Sequence, residues 1–144
     1  MDQDGKNQLG NAVGCLFTTS QDVYQTSGRT DREETDLQAE KTTHSYEGSQ
    51  VTNVSFSPAQ DDLTAVKDGA GNAIETRHLE WTYTGADQQD YRGTMYLRVF
   101  TTTHMPVLMR VMYACPAGAY SATELETLMK GTALNDPGPA DMDG

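Results

Sequence analysis

Three histidines and two cysteines are the residues whose chemistry is easiest to place in this 144-residue chain. His44, His78 and His104 stand far apart, and none lies at zinc-ligand spacing from another histidine or a cysteine. A metal site is therefore not expected. The chain holds no Gly-x-Ser-x-Gly elbow, phosphate loop or dinucleotide fingerprint, and nothing in it calls for a cofactor. The glycine-rich Asp68-Gly69-Ala70-Gly71-Asn72 lacks the lysine of a phosphate loop and reads as a hairpin turn. Asp2-Gln3-Asp4-Gly5 and Asp141-Met142-Asp143-Gly144 carry a fragment of a calcium loop without its closing glutamate. The acidic pairs Glu33-Glu34 and Asp61-Asp62 sit in polar runs where solvated charge is the default.

A cysteine nucleophile needs a lowered pKa and a nearby base. Cys115 is followed by Pro116 and a small-residue turn, which supplies neither, so no catalytic residue is assigned. What Cys15 and Cys115 can do is pair with each other. Closing so long a loop would contribute on the order of 4–5 kcal/mol in the chain-entropy model. Two buried free thiols are the alternative. A last candidate is a sheet-face binding surface built from His78, Glu80, Tyr96 and Arg98.

These residues are positioned by a run of strands. Ala73–Thr84, Tyr91–Phe100 and Val107–Cys115 alternate apolar and polar side chains and are separated by short turns, the signature of an antiparallel meander. In the first, Arg77, Leu79, Trp81 and Tyr83 share a face opposite His78, Glu80, Thr82 and Thr84. In the second, Met95, Leu97 and Val99 oppose Thr94, Tyr96 and Arg98. In the third, Val107, Met109, Val111, Tyr113 and Cys115 face the core. Arginines recurring on the polar side predict one wet face. The aromatics crowded here, Trp81, Tyr83, Tyr91, Tyr96, Phe100 and Tyr113, read as core and cross-strand pairs. A carbohydrate or peptide platform is the minority reading.

Upstream, Ala12–Thr18 reads as a first strand with Val13, Cys15 and Phe17 on one face, and Val23-Tyr24 as a short strand beyond it. Thr30-Asp31-Arg32-Glu33 is a capping box, predicting a helix from Asp31 to Thr43 with a thin apolar stripe. Gln50–Phe56 alternates and is stopped by Pro58. Downstream, Ser121-Ala122-Thr123-Glu124 is a second capping box, opening a helix with Ala122, Leu125, Leu128 and Met129 on one side. The fold class expected is α+β: an antiparallel sheet meander flanked by two helices in a single domain over residues 12–134. Residues 1–11 read as a disordered lead-in and 135–144 as a disordered tail.

The formal net charge of −11 and ten thinly spread Lys and Arg leave no basic patch, which argues against nucleic acid and anionic membrane surfaces. No apolar run approaches the ~18 residues of a membrane span. Met1-Asp2-Gln3-Asp4 is acidic where a signal peptide is basic.

The strand texts Glu80-Trp81-Thr82-Tyr83-Thr84-Gly85, Met95-Tyr96-Leu97-Arg98-Val99-Phe100 and Met109-Arg110-Val111-Met112-Tyr113-Ala114-Cys115-Pro116, with the short capped helix after them, resemble the PsbP-like fold. The family includes photosystem extrinsic proteins and bacterial lipoprotein domains of the LpqN type. The resemblance covers residues 50–134, and the N-terminal half departs by lacking a Pro-x-Gly-Trp stretch. It implies a non-catalytic binding or accessory domain of an exported, membrane-tethered bacterial protein with a protein partner, in the extracellular space or cell envelope. A cytoplasmic location is the alternative. Two other readings are a cone-shaped fold of the nuclear-transport-factor or cystatin-like kind, with a ligand or active site in its concavity, and a phage or secretion-system component. A pocket lined by His78, Glu80, Tyr96 or Arg98 would favour the cone-shaped fold.

Overall fold

A computed structural model describes residues 14–23, 29–44, 50–68, 71–101 and 106–130, with residues 6–10, 63 and 64 described by their backbone alone. The expected positions of Val13, Tyr24, His104, both Asp-x-Asp-Gly fragments and the tail lie outside these residues. The elements run β1 (Lys6–Gly10), β2 (Leu16–Val23), α1 (Asp31–Thr43), β3 (Thr52–Phe56), β4 (Gln60–Lys67), β5 (Ala73–Thr84), β6 (Asp90–Phe100), β7 (Val107–Pro116), a 3-10 turn over Ala117–Ala119, and α2 (Ala122–Lys130). They form a single α+β domain. All seven strands join one antiparallel sheet in the order β1-β2-β7-β6-β5-β3, with β4 also on β5.

The expected meander is β5-β6-β7, and the turn chemistry at Asp68–Asn72 joins β4 to β5. Lys6–Gly10, inside the polar lead-in, forms edge strand β1 against β2. The strand expected at Ala12–Thr18 starts at Leu16 and continues through Val23. Pro58 separates β3 from β4, so two short strands share one edge of β5: β3 along its end and β4 along its beginning. In β3 the register with β5 shifts between Thr52 and Ser55, and Asn53 takes a φ of 55° there.

The expected wet face is absent from the central strand. From Gly93 to Phe100 every residue of β6 is buried, because the two helices cover opposite faces of the sheet. On one face Ala39 of α1 packs with Leu79, Trp81, Met95 and Leu97. Gly93 lies opposite Trp81 in the register, and a Cβ there would collide with the indole. On the other face Met129 of α2 joins Phe17, Ile74, Tyr96, Val111 and Tyr113. Cys15 and Cys115 form a disulfide on this second face, tying the start of β2 to the end of β7.

α1 opens with its expected capping box. The Glu33 N–H donates to Thr30 Oγ1 and the Thr30 N–H to Glu33 Oε1, both at 3.2 Å. Its apolar stripe is too thin to hold it, and polar contacts do so instead. Arg98 Nη2 donates to buried Asp31 at 2.7 Å, the Val99 N–H to Thr35 at 2.9 Å, and Arg77 Nε to Asp36 at 2.6 Å. Arg32 adds an ion pair to Glu75 at 3.1 Å.

Candidate functional site

α2 is seated differently. Of its nine residues only Met129 is buried. The Glu124 N–H donates to Ser121 Oγ at 3.1 Å, and the Glu124 carboxylate accepts from the Tyr113 hydroxyl at 2.6 Å. Tyr120, just before the helix, meets Tyr113 with ring centroids 5.2 Å apart. The helix is thus held by polar contacts at its first turn and by Met129 in its last. Along its length a half-open groove of about 670 Å³ separates it from β5 and β6. That volume lies inside the ~300–1,000 Å³ range of small-molecule sites.

Of the four sheet-face candidates, His78, Glu80 and Tyr96 line this groove. Alternation puts them there: His78 is paired with Tyr96, and Glu80 with Thr94, across β5 and β6. Arg98 does not join them, although it has the same parity as Tyr96. It has no exposed surface, and its guanidinium reaches the start of α1. Nε and Nη1 donate to the Val99 and Glu75 carbonyls at 3.1 and 3.0 Å. A buried guanidinium is stable only when its donors are matched, and the carboxylate at the helix start supplies the match. Arg98 is therefore a structural clamp, a correction to its expected place on a binding face.

The floor of the groove is hydrogen-bonded. His78 Nε2 lies 2.5 Å from Thr94 Oγ1, which donates its hydrogen to the Leu79 carbonyl at 3.2 Å. In the tautomer that carries its hydrogen on Nε2, the imidazole donates at the His78 contact. Its ring stacks on Tyr96 with centroids 4.4 Å apart and planes within 7°. Burial holds the His78 pKa below its ordinary value against the opposing pull of Glu80 and Asp62, so the ring is neutral near pH 7. Burial also pushes the Tyr96 phenol up to about 12.

Towards the rim, Arg92 lies over the Tyr120 ring at 4.0 Å and 3.9 Å from Glu80. Ala65, Leu125 and Met129 form the apolar wall. Sequence reasoning missed this wall and Tyr120 as site residues. The apolar side of α2 was legible, but whether it touches the sheet or stands apart from it is decided by tertiary seating.

The pair His78–Thr94 invites comparison with a hydroxyl nucleophile and its base. In such a relay the acid holds the ring nitrogen opposite the one facing the hydroxyl. Here Glu80 approaches Nε2, at 3.8 Å, the same nitrogen that meets Thr94. The Thr94 hydroxyl is moreover committed to a backbone carbonyl. The geometry of these three groups therefore differs from that of a relay.

Among the described residues no group of three or more His, Cys, Asp or Glu gathers as a metal site. No helix among them is long and apolar enough to cross a membrane. No family model matches this chain, and the search of curated proteins finds no match.

Proposed function

We propose that this protein is a non-catalytic binding domain that holds a small, largely apolar molecule in the groove between α2 and the sheet. The observation that carries the reading is the groove itself, with an apolar wall along one side and a rigid hydrogen-bonded floor along the other. That combination is the usual make-up of a ligand site: apolar area for affinity and a few fixed polar groups for orientation. The reading keeps the non-catalytic role that the PsbP-like resemblance implies. It takes from the cone-shaped alternative a binding site in a concavity. The disulfide supports placement in an oxidising compartment such as the cell envelope or the extracellular space.

The test is an NMR titration of the ¹⁵N-labelled protein with N-phenyl-1-naphthylamine, an uncharged apolar fluorophore. Shift changes are expected at the amides of Ala65, Thr94, Tyr96, Leu125 and Met129, together with a rise in probe fluorescence. No saturable change, or changes confined to the α1 face, would overturn the reading.

A further inference from the structure

The groove carries a charge pattern that narrows what it can hold, given that it is a ligand site. Six charged side chains line it: Lys67, Asp68, Glu80, Arg92, Glu126 and Lys130. Three are cations and three are anions. Two cations have anionic partners among the same six, Arg92 with Glu80 at 3.9 Å and Lys130 with Glu126 at 3.3 Å. The whole chain carries a formal net charge of −11, so this balance is local and does not follow from composition. Away from Lys67 and Asp68 at the end of β4, a charged ligand would have to compete with one of these pairs or lie unmatched over the apolar wall, and an unmatched buried charge is costly.

The interior of the groove carries neutral polar groups. The Tyr96 hydroxyl has no hydrogen-bond partner among the described residues, and with its phenol held protonated it is available as a donor. In the tautomer that donates at Nε2, His78 leaves Nδ1 as an acceptor. Both ends of α2, Ala122 and Lys130, line the groove, so the space follows the helix for its full length, about 13 Å at ~1.5 Å per residue. A space of that length admits an extended molecule.

From this geometry we infer that the ligand is an uncharged, elongated apolar molecule with one hydrogen-bonding group, such as a hydroxyl, ester or amide. The apolar chain lies along Leu125 and Met129, and the polar group meets Tyr96 and His78.

Competition against bound N-phenyl-1-naphthylamine tests this, using three straight-chain compounds with alkyl tails of nine or ten carbons and different heads: 1-decanol, decanoate and decyltrimethylammonium. Decanol is expected to displace the probe at a concentration about tenfold lower than either charged compound, in line with the cost of one uncompensated group. Glu80→Gln leaves Arg92 without its partner in the groove and is expected to move decanoate towards decanol. If the probe binds and a charged compound equals or beats decanol, the ligand class is wrong while the groove still stands as a binding site. If the probe does not bind in the groove at all, both readings fall.

Discussion

The two helices meet the same sheet by opposite means. α1 has few apolar side chains to offer and is held by polar ones: Asp31, Thr35 and Asp36 each bond to a strand residue, and Glu34 and Thr35 are buried. α2 has a clear apolar side and is held at its first turn through Glu124 and the residues before it, and at its last turn through buried Met129. Polar contacts are directional, so they fix α1 in one place and leave beside it a small cavity of about 260 Å³, lined by Asp36, Ala39, Glu40, Thr43, Ala59 and Arg77. Apolar contact is not directional, and a short amphipathic helix that buries only one of its side chains leaves apolar surface uncommitted. The face with the richer hydrophobic pattern on its helix is the one with the groove of about 670 Å³.

The disulfide gives the largest way to break this contrast. It closes a sequence separation of 100 residues on the α2 face. Replacing both cysteines, Cys15→Ser with Cys115→Ser, is expected to cost on the order of 4–5 kcal/mol. Denaturant unfolding measures this, with a matching loss on adding reductant to the parent protein and none on adding it to the double variant.

The next effect belongs to the α1 face. Arg98→Met strips buried Asp31 of its cation and should cost about 3–5 kcal/mol, the usual penalty for orphaning one member of a buried pair. Because Arg98 does not line the groove, probe affinity of the folded protein should stay within about twofold of the parent. A large loss of binding with folding intact would mean that the two faces are coupled. Leu125→Ser reverses the pattern. This half-buried side chain should cost about 1 kcal/mol or less in stability while weakening probe binding several-fold.

Much of the layout was legible in the chain. Period-2 alternation marked β5, β6 and β7, and the two capping boxes marked α1 and α2 where they begin. His78, Glu80 and Tyr96 were legible as neighbours because alternation and hairpin register together place them on one face. Arg98 shows where that logic stops. Parity gives the side of the strand from which a side chain leaves, but a long guanidinium at the strand's end goes to whatever carboxylate is buried nearby. The pairing of Arg98 with Asp31 spans 67 residues of sequence, and no local pattern encodes it. The groove was illegible for the same reason. Its floor comes from β5 and β6 and its wall from β4 and α2, and only the tertiary seating of α2 decides whether those surfaces touch or stand apart.

The smallest effect concerns the groove floor and is a matter of pH. Burial lowers the His78 pKa in the folded protein, so the unfolded chain takes up a proton at a higher pH than the folded one. The contribution of His78 to stability is therefore intact above about pH 6.5 and is lost as pH falls from there towards the folded-state value. Carboxylates also begin to titrate lower in that range, so the comparison must be between variants. His78→Gln keeps a donor that can reach Thr94 but cannot be protonated. Between about pH 8 and about pH 6 the parent should lose more stability than the variant, read as the difference in Tm change between them. Probe affinity should follow the same course, because a protonated ring turns Nδ1 from acceptor to donor and puts an added positive charge on the groove floor. Equal pH dependence in both proteins would show that His78 is solvated in either state, and the rigid floor on which the contrast between the two faces depends would have to be given up.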